Sequence, residues 1–182
     1  MAEPDRITVN RAPVLTLWAA VCAERMGFDH DEALTLGRAL AGMAAQAKGR
    51  AIGIYEAHGA EDLRAEARKL REREADTAAA LKVRLLGREI EVVETDDGLR
   101  AIEKGKPDDP RSVERYLASK LKAHLEPVRA AMAELAGRIP PREVNARAFR
   151  LYERFRPEVP AGAAGWGKAG ILTLEAIRMA DA

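Results

Sequence analysis

Apolar residues recur at intervals of three and four along most of this chain, and this spacing restricts the fold more than any other feature of the sequence. It places the apolar side chains on one face of an amphipathic helix. One such run covers about 12–26 and a second covers about 30–48, with Gly27 between them. Asp29 and Glu32 have the spacing of a capping box. The sequence therefore predicts two helices joined by a tight turn.

The second of these helices has an additional side made of small residues, where another helix can come close: Gly37, Ala41, Ala44 and Ala45. Hydrophobic residues make up 47% of the chain but aromatic residues only 4%. We therefore expect a core of helices packed closely on small side chains. Cys22, the single cysteine, lies in the first apolar run, and its thiol is expected to be buried and inert.

The rest of the chain predicts further helices and one β-hairpin. A highly charged helix with a narrow apolar stripe is expected at about 60–81. It either touches the body along one edge or pairs with a second copy of itself. A hairpin is expected over 82–95, with its turn at Leu86-Gly87-Arg88. A helix over 110–136, which Pro127 should kink or split, then precedes helices at 141–156 and near Thr173.

These elements predict a mainly α fold: a helical domain with a small β-hairpin, in winged-helix-like order, followed by a C-terminal helical part. The segment 95–110 is rich in Asp, Gly and Pro and is the best candidate for a boundary. We accordingly divide the chain into 1–97, the helix-turn-helix-like helices with the hairpin, and 98–182, a basic helical part with a glycine-rich tail.

The sequence shows none of the familiar patterns of catalytic or metal-binding residues. The three histidines lie in different predicted elements, and no HExxH or CxxC spacing occurs. Residues 165–170 match GxGxxG, but too few residues follow to complete a dinucleotide-binding unit. Paired carboxylates fall at predicted turns and helix starts, where they cap helices. We therefore expect no catalytic residue, metal or cofactor, and we lean against an enzyme.

No part of the sequence indicates a membrane protein. The longest apolar run is about half the length that a membrane span needs. The N-terminal residues carry acids and lack the features of a signal peptide. We therefore expect a cytoplasmic protein with no membrane partner.

Residues 23–36 resemble a helix-turn-helix in their spacing. Ala23 precedes Gly27 by four positions, and Ala33 and Leu36 follow it by six and nine. In such a motif the start of the second helix faces the bases. Here that start is acidic, with the sequence DHDE, which a phosphate-walled groove would repel. The alternative is a plain corner between two packed helices, and the charges favour it.

Positive charge is concentrated late in the chain. Segment 111–156 contains eleven basic and five acidic residues, a net charge of +6, whereas the whole chain carries +1. Arg147, Arg150 and Arg154 fall on one side of a predicted helix, with Phe149 and Tyr152 between them. Arginines interleaved with aromatic residues suit phosphate contact and base stacking.

Two functions from different classes follow from these patterns, and an enzyme or ligand-binding protein with a pocket assembled between helices is a third alternative. The first is a non-enzymatic, winged-helix-like DNA-associated protein with a regulatory role, whose contacts to double-stranded DNA come from Arg84 and Arg88 of the hairpin and from the three arginines of the late helix. The second is a helical interaction or dimerisation module, in which residues 60–81 form a homodimer and nucleic acid plays no part. The arginine row can also be a solvated face, or be neutralised by acidic residues of the same chain.

Overall fold

The computed structural model of this chain describes residues 6–51, 81–159 and 169–181. About 60% of it is helical and 24% lies in strands. The helices are α1 (Arg11–Arg25), α2 (His30–Ala51), α3 (Pro110–Leu121), α4 (Leu125–Gly137), α5 (Val144–Phe155) and α6 (Leu174–Arg178). The strands are β1 (Arg6–Asn10), β2 (Leu81–Leu85), β3 (Arg88–Thr95), β4 (Gly98–Glu103), β5 (Lys106–Pro107) and β6 (Ala169–Thr173). The prediction of a mainly α fold is therefore wrong, because the chain forms a mixed α/β arrangement with two antiparallel sheets.

Helices α1 and α2 form the predicted corner, and they pack with their backbones unusually close. The capping box is confirmed: the Asp29 carboxylate accepts from the Glu32 amide at 2.8 Å, and the Glu32 carboxylate accepts from the Asp29 amide at 3.0 Å. A Cβ atom added at Gly37 would collide with the Thr16 carbonyl oxygen and lie 3.0 Å from the Ala20 amide nitrogen. The small-residue side of α2 is therefore where α1 rests.

A four-stranded antiparallel sheet, in the order β2-β3-β4-β5, follows the long second helix in the described chain. The predicted hairpin turn is confirmed, since Leu86 and Gly87 connect β2 to β3 with φ values of 50° and 80°. Lys104 and Gly105 make a second turn with the same pair of positive φ values. Positive φ at both central residues matches the twist of the flanking strands.

The segment 95–110, expected as a boundary, instead contains β4, β5 and the turns beside them. Strand β3 pairs with β4, with Thr95 opposite Gly98, so the sheet crosses the position at which we divided the chain. The division into two parts stays a prediction, but the segment around it is a β-hairpin rather than an open linker.

Helix α2 closes one edge of strand β4 with its own side chains. The Leu99 amide donates to the second carboxylate oxygen of Glu32 at 2.9 Å, and the Ala101 amide donates to the Thr35 hydroxyl at 3.0 Å. Glu32 and Thr35 are three residues apart, so both reach the same side of the helix. These two backbone amides of β4 could otherwise pair with another strand, and the side chains of α2 satisfy them.

The long helix predicted over 110–136 is split, but not at Pro127. Asp109 caps α3 as expected, with its carboxylate accepting from the Arg111 amide at 3.0 Å. The break comes at Lys122, where φ is 52°, followed by a short 3₁₀ turn. Pro127 then lies in the first turn of α4, where no helical partner exists for its missing amide hydrogen.

Helix α5 and the last helix match their predicted positions, whereas β1 and β6 were not predicted. The two strands pair with each other, with Ile7 opposite Leu172, and both of these side chains are buried in the core. Trp18 of α1 is fully buried and donates from its indole Nε1 to the Ala148 carbonyl of α5 at 2.9 Å. Its ring meets Phe155 edge to face at a centroid distance of 5.3 Å. Helix α5 is therefore held directly on α1.

Two other predictions concern residues outside these ranges. The charged helix expected at 60–81 lies outside the described residues, apart from Leu81, which begins β2. The glycine-rich segment up to residue 168 lies outside them as well. Among the helices that the structure describes, none combines the length and apolar character needed to cross a membrane.

Cys22 should resist thiol reagents as long as the protein is folded. Its side chain is completely buried, as predicted, and burial raises the pKa of the thiol well above its ordinary value. Because the thiolate is the reactive form, we expect labelling by an aromatic disulfide at pH 8 to follow unfolding and to become rapid in guanidinium chloride. Complete labelling of the native protein within the mixing time would contradict this placement.

Candidate functional site

Helix α5 exposes three arginines because its apolar residues occupy the opposite side. Val144, Ala148, Leu151 and Phe155 recur at helical spacing and are buried, as the sequence predicts. Arg147, Arg150 and Arg154 are spaced by three and four residues and are exposed to solvent. This spacing puts them on one face, so the predicted row is confirmed as a geometrical arrangement.

The three arginines line a single surface groove of about 230 Å³. We call it the arginine groove, and its lining residues are Ala146, Arg147, Arg150, Leu151, Arg154 and Asp181. At a helical rise of about 1.5 Å per residue, the row from Arg147 to Arg154 is about 10 Å long. The groove therefore offers an elongated surface with three guanidinium groups, lined also by two apolar side chains and one carboxylate.

The three guanidinium groups differ in their partners within the chain. Arg147 forms an ion pair with Glu143 one helical turn away, at 3.0 Å, and both side chains are nearly half exposed. Arg154 donates to the carbonyl of Ala180 at 2.8 Å. Arg150 has no hydrogen bond or ion pair to any residue in the described ranges. An exposed ion pair such as that of Arg147 contributes little stability, so an incoming anion can compete for it.

One wall of the groove comes from residues that follow α6. Arg138, at the end of α4, donates to the Asp181 carboxylate at 2.9 Å and to the Arg178 carbonyl at 2.9 Å. Sequence reasoning did not identify Asp181, because nothing in the local sequence links it to residues some 30 positions earlier. Glu143 could have been found, since it precedes Arg147 by four positions.

The aromatic residues of α5 do not supply the stacking surface that the sequence suggested. Tyr152 is buried, and burial raises the pKa of its hydroxyl. That hydroxyl points to the Arg11 carbonyl at 3.4 Å. Phe149 is half-buried and packs against Tyr152 at a ring-centroid distance of 5.8 Å. Neither ring lines the arginine groove. The prediction that these residues stack on bases is therefore wrong, because both rings pack against the core.

The two hairpin arginines lie elsewhere. The amide of Leu86, in the turn between β2 and β3, donates to the Asn145 side chain of α5 at 2.9 Å. This contact ties the hairpin turn to the helix that carries the groove. Arg84 lies opposite Glu89 and Arg88 opposite Leu85 in the strand register, and neither arginine lines the groove. The structure thus groups three of the five predicted contact residues and leaves Arg84 and Arg88 apart from them.

The helix-turn-helix-like stretch takes the form of a helical corner. Glu32 sits at the start of α2, where a recognition helix would meet the bases, and it is bonded to β4 through the Leu99 amide. A Cβ atom added at Gly98 of β4 would lie only 3.2 Å from the same carboxylate. The sheet therefore occupies this end of α2.

The paired carboxylates act as caps and anchors in the described chain. Asp109 caps α3, whereas the buried Asp108 carboxylate accepts two hydrogen bonds from the Arg38 guanidinium, one of them from Nε at 2.8 Å. His30 lies between two carboxylates, with Nδ1 2.8 Å from Glu24 and Nε2 3.7 Å from Glu114. Among the described residues, no group of His, Cys, Asp and Glu side chains could hold a metal ion.

We compared the chain with models of protein families, with curated proteins and with solved structures. None of the three comparisons gave a match. Any function for this chain must therefore be argued from its own residues.

Proposed function

We propose that this protein is a non-enzymatic DNA-associated protein whose arginine groove binds the phosphate backbone of double-stranded DNA. We also propose that the protein acts in the cytoplasm and has no membrane partner. Its main support is Arg150, which lies between two other guanidinium groups and is unpaired within the described residues. Guanidinium groups bind phosphate oxygens through paired, well-directed hydrogen bonds.

The number of guanidinium groups in the row suits a short stretch of one strand. Each of the three guanidinium groups can contact one phosphate of the backbone, so the row offers about three phosphate contacts at most. Among the residues that the structure describes, no aromatic side chain lines the groove to stack on a base. Contacts of this kind position a protein on DNA without reading its sequence, so we expect binding with little sequence preference.

Replacing Arg150 with alanine should weaken binding to a random-sequence duplex and make it less sensitive to salt. If the groove contacts about three phosphates, the slope of log K against log salt concentration should be near −2.7 for the wild-type protein. Losing one contact should reduce the magnitude of that slope by about 0.9. Fluorescence anisotropy with a labelled duplex, repeated from low to physiological salt, measures both quantities.

Arg115→Ala is the matched control for this experiment. Arg115 is an exposed arginine of α3 that does not line the groove, so its removal changes the net charge equally. We expect its slope to stay near that of the wild-type protein. Equal effects of the two substitutions would assign binding to overall charge rather than to the groove, and absent binding at low salt would refute the proposal.

A further inference from the structure

Strand β2 is an edge of the four-stranded sheet that the described part of the chain leaves open. The opposite edge, β5, has only two residues and ends in Pro107, and a short edge with a proline resists further pairing. Strand β2 has five residues, contains no proline and pairs with β3 in unbroken register. None of the strands that the structure describes lies on its outer side. The sheet therefore presents one regular strand edge.

The geometry of the hairpin determines which backbone groups of β2 face outward. Leu86 and Gly87 form a two-residue turn, so the flanking pair, Leu85 with Arg88, exchanges hydrogen bonds across the two strands. Bonded and non-bonded pairs alternate along such a ladder, so the amide and carbonyl groups of Lys82 and Arg84 point away from β3. Neither outward amide donates a hydrogen bond to a described residue. Two donors and two acceptors are therefore available to an added strand.

The side chains of β2 indicate which kind of strand fits there. Lys82 and Arg84 are exposed on one face, whereas Leu81 and Val83 lie on the other, where Leu81 is 53% exposed. The Lys82 ammonium lies 4.0 Å from the Glu89 carboxylate, and both side chains are more than half exposed, so this ion pair contributes little stability. A complementary strand has carboxylates beside Lys82 and Arg84 and apolar side chains that cover Leu81 and Val83.

We propose that β2 is a docking edge for an extended peptide of alternating acidic and apolar residues, which adds to the sheet as a further strand. Strand β3 already has this pattern, with Glu91 and Glu89 opposite Lys82 and Arg84. A second copy of β2 fits poorly, because basic side chains would then lie opposite basic side chains, and such pairs are destabilising. This inference is independent of the arginine groove, since Lys82 and Arg84 do not line it.

Two fluorescein-labelled peptides, TEVEVET and TKVKVKT, test the proposal with the full chain. They have the same length and the same apolar residues, and they differ only in the sign of their charges. We expect the acidic peptide to bind with a Kd below about 1 mM. The basic peptide should bind at least about tenfold more weakly, because two opposite-charge pairs across the strands become like-charge pairs. Fluorescence anisotropy at low salt measures both affinities.

Hydrogen exchange, followed by NMR at each residue, identifies the binding mode. The bound acidic peptide should slow exchange of the Lys82 and Arg84 amides, whereas the Val83 amide, which faces β3, should change little. Lys82→Pro removes one outward donor and leaves the ladder to β3 intact. Lys82→Ala removes the same charge but keeps the amide, so we expect it to bind the acidic peptide about fivefold more tightly than Lys82→Pro does.

Stronger binding of the acidic peptide, together with protection at Lys82 and Arg84, would support the docking edge. Equal affinities for the two peptides, no binding up to about 1 mM, or binding without protection of these two amides would overturn it. Equal affinities of the folded Lys82→Pro and Lys82→Ala variants would overturn it as well. The first three outcomes use the wild-type protein, so they decide the proposal even if Lys82→Pro does not fold. Protection of the same amides that rises with protein concentration, without peptide, would assign the edge to a second copy instead.

Discussion

Replacing Gly37 with leucine should lower the free energy of unfolding by more than about 4 kcal/mol, a large part of the stability of an ordinary domain. Gly37 is where α2 rests on the backbone of α1. A Cβ atom there would overlap the Thr16 carbonyl oxygen and lie 3.2 Å from the Ala20 Cβ. A backbone oxygen cannot rotate away as a side chain can, so the two helices must separate. Urea unfolding followed by circular dichroism measures the loss.

Gly42 provides a control in the same helix. A Cβ atom added at Gly42 meets nothing within 4 Å, and the residue is exposed. Alanine at Gly42 should therefore stabilise the protein by about 0.5–1 kcal/mol through its better helix propensity. Alanine at Gly37 should destabilise it, because overlap costs about 1–3 kcal/mol or more. Stabilisation by both alanines would contradict the close approach of α1 and α2.

Replacing Trp18 with alanine should cost about 3–5 kcal/mol of stability. The side chain is fully buried between α1 and α5, and its removal leaves a large cavity beside Phe155. It also removes the hydrogen bond from the indole to the Ala148 carbonyl. Because Ala148 immediately follows Arg147 in α5, the same substitution loosens the helix that carries the arginine groove.

Trp18→Phe separates the two contributions. Phenylalanine keeps most of the aromatic packing but cannot donate to the Ala148 carbonyl, so we expect a loss of about 1–2 kcal/mol. Urea unfolding of both variants in parallel gives the comparison. A loss below about 1 kcal/mol for Trp18→Ala would show that Trp18 does not hold α5 on α1.

The sequence contained enough local information to predict the helices and the first hairpin. The start of α2 is marked by the capping box of Asp29 and Glu32, and its close packing is marked by Gly37. The turn at Leu86 and Gly87 needed only the two flanking runs of alternating residues. In each case the residues that determine the structure lie within a few positions of one another.

The strands that were missed depend on partners far away in sequence. Strands β1 and β6 contain five residues each and pair across some 160 positions, so no local sequence pattern predicts them. Strands β4 and β5 were misread because Asp, Gly and Lys residues typical of linkers also form tight hairpin turns. The helix break was likewise predicted at Pro127, whereas it lies at Lys122. Proline can end a helix, but it is equally compatible with the first turn of one, and here it lies in that first turn.

The candidate site was predicted in part for the same reason. Arg147, Arg150 and Arg154 share one helix, so their common face follows from helical periodicity alone. The wall formed by Asp181 depends on how α4, α5 and the residues after α6 pack together. Arg84 and Arg88 were predicted as contacts because the order of elements resembled a winged helix, in which the hairpin reaches the DNA, but the fold does not bring them into the groove.

The pairing of β1 with β6 has a consequence for synthesis of the chain. Residues 6–10 are translated some 160 residues before their strand partners at 169–173. Until then Ile7 and Val9, which are buried in the finished protein, belong to a strand without its hydrogen-bonding partner. Closing so long a loop is entropically costly, so this ribbon forms only after residues 169–173 have been translated, later than the hairpins and helix pairs that close short loops.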